Sequence, residues 1–241
     1  MGAQGCAFVS GVWGWLTSSA NWQGDAGIPH RLVEHLQISA AAVLLAMAVA
    51  LPVAIVLGHL GRGGFLAVNV GNVGRAIPTF GLLIIFASWS PIGVGNRAAI
   101  LALALFAIPP LLTNTYIGMR GVDEDVKDAA LGMGMTGQQL VRKVEVPLAV
   151  PLIFAGIRTA AVQVVATATL AALVAGGGLG RYIVDGRGTQ DNAQLYSGVV
   201  LVVLLCLALE GLLALIQRRL NPLEAPEPGG ARIDDVGVTT S

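Results

Sequence analysis

The sequence predicts an all-α membrane bundle of about five transmembrane helices, with one longer polar loop that carries helices of its own. Three observations point there. Apolar residues make up 55% of the chain and charged residues 12%, with a mean hydropathy of +0.75. A water-facing domain carries about 25% charged residues, so much of this surface faces lipid. Five stretches approach the roughly 20 apolar residues that a bilayer crossing requires. Between the third and fourth lies the longest polar segment with a span on each side, residues 119–147.

Taken in order, residues 1–30 form an N-terminal interfacial segment. It lacks the basic start of a signal peptide, and its first residues miss the myristoylation pattern because Cys6 stands where Ser or Thr is needed. Trp13, Trp15 and Trp22 suit the headgroup zone, although residues 8–22 could also make a further short span. The membrane domain runs over 31–220, with spans at roughly 36–58, 66–89, 98–118, 148–175 and 195–217. Backbone polar groups in lipid must bond within their own segment, which makes each span a helix. Pro52, Pro78, Pro109 and Pro151 predict kinks or broken turns in them. Residues 221–241 are rich in Pro and Gly and low in hydrophobicity, as expected of a disordered tail.

Basic residues set the orientation. One side receives Arg62, Arg120, Lys127, Arg142, Lys143, Arg218 and Arg219, and the other Arg31, Arg97, Arg181 and Arg187. The excess places the 119–147 loop and the C-terminus in the cytoplasm and the N-terminus outside.

The loop itself reads as two short helices. Asp123 is a candidate N-cap, and Val126, Ala129, Ala130 and Met133 fall at i, i+3, i+4 and i+7. Gly132 and Gly134 end this first helix. Thr136 and Gln139 form a capping-box pattern opening the second, which carries Leu140, Val141 and Val144 before Pro147 marks the boundary with the next span. Small residues on an exposed helix suit docking into a groove; a plain hairpin packed on its own bundle fits the same pattern.

Asp128-Ala129-Ala130, three residues, Gly134, nine residues, then Val144-x-Val146-Pro147 resembles the EAA motif of ABC importer permeases, with Asp for Glu and Val at both aliphatic positions. The resemblance covers roughly 30–220. Arg75-Ala-Ile-Pro78-Thr-Phe-Gly resembles the family's second-span signature. Ala155-Gly-Ile-Arg-Thr159, Ala168-Thr-Leu-Ala-Ala172 and Gly176-Gly-Gly-Leu-Gly180 resemble the glycine betaine, choline and osmoprotectant branch, though amino-acid permeases share several of these strings. The resemblance implies a type-1 ABC transmembrane domain in a bacterial cell membrane. It also implies a multi-pass permease that moves a compatible solute such as glycine betaine, choline or carnitine. Implied partners are ATPase subunits, a second permease subunit and an extracytoplasmic solute-binding protein. ATP and Mg would sit in the ATPase, with no cofactor in this chain. Asp128, Ala129, Ala130, Gly134, Val144 and Pro147 would couple the permease to that ATPase.

Arg75, Arg158, Gln163 and Glu210 interrupt the apolar stretches, and such groups usually face a bundle interior or water. Arg158 and Glu210 lie at comparable depths and form a candidate pair, with Arg75 as the competing partner and snorkelling to the interface as the plainer alternative. Thr79, Asn114 and Gln163 are candidate pathway residues.

Other function classes lack their signatures. No pair of carboxylates inside the spans supports proton coupling, which leaves a secondary transporter or channel as the weaker reading. No Ser/His or paired-Asp constellation supports catalysis. His30, His35 and His59 lack metal-ligand spacing and read as solvated or interfacial. Cys6 and Cys206 are too far apart in sequence to suggest a framework, and Cys206 reads as a small hydrophobe. A net charge of +0 gives no field to attract nucleic acid. The Gly176–Gly180 run lacks a Walker lysine and reads as a tight outer turn.

Overall fold

A computed structural model describes residues 2–65, 69, 74 and 76–220, and among these the regular structure is helical throughout. Helix α1 covers Gly2–Thr17 and α2 covers Ile28–His59. The short α3, Thr79–Ser88, precedes the long α4, Asn96–Arg120. The polar loop carries α5, Glu124–Gly132, and α6, Gly137–Leu140. Helix α7, Val146–Thr167, continues as a 3-10 helix over Ala168–Val174. Helices α8, Gly180–Thr189, and α9, Asn192–Leu220, complete the described chain.

Among the described residues, four helical stretches are long and apolar enough to cross a membrane: Ile28–His59, Asn96–Arg120, Gly137–Val174 and Asn192–Arg219. The second expected span falls partly on residues outside those described; its described part includes the apolar α3. The expected disorder of 221–241 and the depth of Arg75 also lie outside the described residues.

Small residues bring the spans together. Ala42, Ala46, Ala50 and Ala54 recur at i+4 on α2 and are fully buried, as are Ala99, Ala102 and Ala107 on α4. Lipid tails are as apolar as leucine, so association depends on close packing, which small side chains permit. At Gly58, a Cβ would stand 2.4 Å from the Met119 Cβ; at Gly156, one would stand 2.9 Å from the Asn114 Cβ. These two contacts fix α2 on α4 and α4 on α7.

The prolines act less disruptively than expected. Helices α2, α4 and α7 run through Pro52, Pro109, Pro110 and Pro151, whereas Pro78 stands immediately before α3 as its N-cap. Pro147 does not separate the loop from the fourth span. A π-type turn over Val141–Glu145 joins α6 to α7, and Pro147 occupies the first turn of α7, where a missing N–H costs little. Its i−5 spacing appears in the Val146 N–H donating to the Val141 carbonyl.

Helix α1 is anchored on α8 and α9. The Trp15 ring meets Tyr182 edge to face at 5.0 Å, and the Ser197 hydroxyl donates to the Val12 carbonyl. The Tyr182 hydroxyl donates to the Ala26 carbonyl at 2.6 Å. Burial, with a smaller opposing effect of Arg31, pushes that phenol up to about 12.

Candidate functional site

The loop between α4 and α7 is built by its caps. The Asp123 carboxylate accepts the Asp125 N–H at 2.8 Å and starts α5. The Met135 N–H donates to the Ala130 carbonyl and the Gly134 N–H to the Leu131 carbonyl, which is a Schellman ending. That ending puts Gly134 at φ +85°, a left-handed conformation that a side chain would strain. The Thr136 hydroxyl accepts the Gln139 N–H, and the Gln139 amide oxygen accepts the Thr136 N–H at 2.8 Å. A rigid helix, a glycine turn and a second capped helix result.

The two faces of α5 differ. Lys127 and Ala130 are buried against the protein, and Lys127 pairs with Glu124 at 3.2 Å. The other face leaves Val126 42% exposed and Met133 74% exposed, with Asp128 and Ala129 exposed between them. The expected four-residue stripe therefore divides: Ala130 packs inward, and Val126, Ala129 and Met133 stay unpartnered. Val144 is half-buried and Pro147 exposed.

A contact that sequence reading missed ties this loop to the first span. The Glu145 carboxylate, 1% exposed, lies 2.7 Å from the Nδ1 of His59 at the end of α2. Gly137 abuts the same ring. The 86-residue separation of the pair leaves no local signal for it.

At the opposite ends of the spans, His35 overturns the expectation of a solvated or interfacial histidine. It is fully buried, with Nε2 2.9 Å from the Val165 carbonyl and Nδ1 accepting the Leu179 N–H at 3.3 Å. Both ring nitrogens are thereby spent on the backbone around the break after α7. The neighbouring Glu34 accepts from Arg31 at 2.7 Å and from the Gly178 N–H at 3.0 Å. Asn96 accepts the Gly177 N–H at 2.8 Å. Gly178 has φ +90°, and a Cβ on Gly177 would meet the Glu34 carboxylate at 2.6 Å. The expected tight glycine turn is thus clamped by two side chains. A cavity of about 730 Å³ opens beside it, lined by Arg31, Arg97 and Arg181 among others.

Within the spans, Arg158 on α7 and Glu210 on α9 meet. The Arg158 Nε donates to Glu210 at 3.0 Å, its Nη2 donates to the same oxygen, and Nη1 donates to Gln217 at 2.8 Å. With Thr159 and Gln163 they line a cavity of about 450 Å³. Thr79 and Asn114 are absent from its lining. Asn114 bonds the Pro110 carbonyl at 2.8 Å and packs on Gly156, and Thr79 begins α3. Of the five described candidates, Arg158, Gln163 and Glu210 thus share one cavity, and Thr79 and Asn114 lie outside its lining. Among the described residues, no group of three or more His, Cys, Asp or Glu side chains could hold a metal ion.

Residues 42–222 match the family described as binding-protein-dependent transport system inner membrane component. The chain belongs to this family. It is 37% identical over 193 residues to the choline transport system permease protein OpuBB of Bacillus subtilis, covering 80% of this chain and 88% of that one. It is also 37% identical to the glycine betaine/carnitine/choline transport system permease protein OpuCB of the same organism, covering 78% and 86%. An inward-facing structure of the MetNI methionine ABC transporter shares the fold, with a TM-score of 0.68, 22% identity and coverage of 78% and 93%. The chain is thus a multi-pass permease component of an ABC importer.

Proposed function

We propose that this permease conducts small quaternary ammonium solutes (glycine betaine, carnitine and choline) inward, driven by a separate ATPase docked on the 119–147 loop. The unpartnered stripe of Val126, Ala129 and Met133 carries the docking reading. Apolar side chains at the membrane edge, on a helix whose caps hold it rigid, form a surface ready for a groove. The solutes that these relatives are named for support the solute class. The basic bias puts the loop and the C-terminus in the cytoplasm and the clamped glycine turn outside.

In this reading Asp128, Ala129 and Ala130 present the docking helix, Gly134 turns the chain after it, and Val144 and Pro147 carry the join to α7. ATP and Mg bind in the ATPase. A second permease subunit, this chain or a sister, completes the pathway, because one bundle of this size encloses no wide channel. A binding protein delivers solute from outside. ATP-driven closure of the ATPase pair moves the loops, and the spans transmit that movement as rigid elements between two states. Arg158, Gln163 and Glu210 line part of the pathway.

The test is uptake of labelled glycine betaine, carnitine and choline into proteoliposomes holding the complete transporter. ATP-dependent accumulation of at least one, lost when the ATPase is omitted, is expected. Accumulation that persists without ATPase contradicts the proposal.

A further inference from the structure

The Arg158–Glu210 cluster lies where charge is hardest to place. At 1.5 Å per residue, Arg158 sits about 18 Å inside the start of α7 and Glu210 about 15 Å inside the end of α9. Ionised side chains at such depth cost several kcal/mol against lipid. Yet the two side chains remain 31% and 41% exposed, and their cavity opens at the surface of the bundle. Exposed charge at such depth is far better matched by water or a polar ligand than by acyl chains.

The donors and acceptors of the cavity are unequally spent. The guanidinium of Arg158 directs Nε and Nη2 to one carboxylate oxygen and Nη1 to Gln217. Among the described residues, the second oxygen of Glu210 and the side-chain amide of Gln163 have no hydrogen-bond partner. One cation and one anion thus share a cavity of about 450 Å³, within the range of small-ligand sites.

We infer that this cavity is a transient site for zwitterionic solutes, in which Arg158 takes the solute carboxylate and Glu210 faces its quaternary ammonium. Entry of the solute exchanges one ion pair for two, offsetting the desolvation of both solute charges. Choline, a cation without a carboxylate, uses Glu210 alone. The inference rests on the quaternary ammonium reading proposed above.

The experiment measures the ratio of glycine betaine to choline uptake by the complete transporter. A charge-assisted hydrogen bond is worth enough to move affinity by about tenfold. Arg158→Gln is expected to lower the ratio about tenfold, and Glu210→Gln to raise it. Ratios that stay unchanged or move together in the two variants overturn the inference. A second measurement leaves the pair intact: Thr159→Cys in a Cys6→Ser/Cys206→Ser background, treated with a water-soluble cationic thiol reagent. Labelling that glycine betaine slows more than choline is expected; absence of labelling means that the face meets lipid and overturns the inference. A wild-type transporter that accumulates none of the three solutes refutes the functional reading itself, an outcome distinct from an unmoved ratio.

Discussion

Substituting Glu145 tests how the loop is held to the first span. The carboxylate is 1% exposed and 2.7 Å from His59, on a different helix. Glu145→Gln preserves the shape and removes the charge. A hydrogen bond to a charged group contributes about 1.5–3 kcal/mol, and each kcal/mol shifts the Tm of a chain this size by roughly 2–4 °C. A loss of about 2 kcal/mol, or roughly 4–8 °C, is expected in thermal unfolding followed by circular dichroism of the detergent-purified subunit. The decisive quantity is the coupling in a cycle with His59→Gln. The double variant should be no less stable than the worse single variant, giving a coupling of at least about 1 kcal/mol. Effects that add within about 0.3–0.5 kcal/mol would refute the claim that this pair joins the loop to α2.

Ala129→Trp should leave thermal stability within about 0.5 kcal/mol, because Ala129 is exposed, while abolishing solute-stimulated ATP hydrolysis by filling the docking surface. ATPase assays on the reconstituted complex check this. Gly58→Ala should destabilise the subunit by about 1–3 kcal/mol, since its Cβ would stand 2.4 Å from that of Met119; chemical unfolding measures it. Tyr182 should add an alkaline dependence. Its phenol is raised from 10.0 to about 12, so the fold favours the neutral form. That contribution is fully present below pH 10 and is lost as pH rises from 10 toward 12. Tyr182→Phe should remove this component from the pH profile of Tm.

Features written in local spacing were legible. The Asp123 cap and the Thr136–Gln139 box each need only residues two or three apart, and both form. Comparable depth made Arg158–Glu210 one candidate pair beside Arg75 and snorkelling, and the two side chains do meet, as two costly charges lower their cost by pairing. What failed depended on contacts distant in the chain. His35 reaches Val165 and Leu179 across 130 and 144 residues, and nothing near it in sequence reveals those partners. Helix α2 begins at Ile28, ahead of the expected 36, because apolar content marks the lipid-crossing part and not the polar turns that bring Glu34 and His35 to the glycine clamp. Helical spacing also grouped Ala130 with Val126, Ala129 and Met133, but only the packed bundle determines which side of a narrow stripe is buried.

The account depends most on what meets the exposed face of α5. The direct measurement is thiol cross-linking from Met133→Cys, in a chain lacking its native cysteines, within membranes containing the assembled transporter. A cross-linked product containing the ATPase subunit, diminished when α5 is also changed at Ala129, is the predicted result. A cysteine at 133 that reacts only with an impermeant reagent added from outside the cell would contradict it.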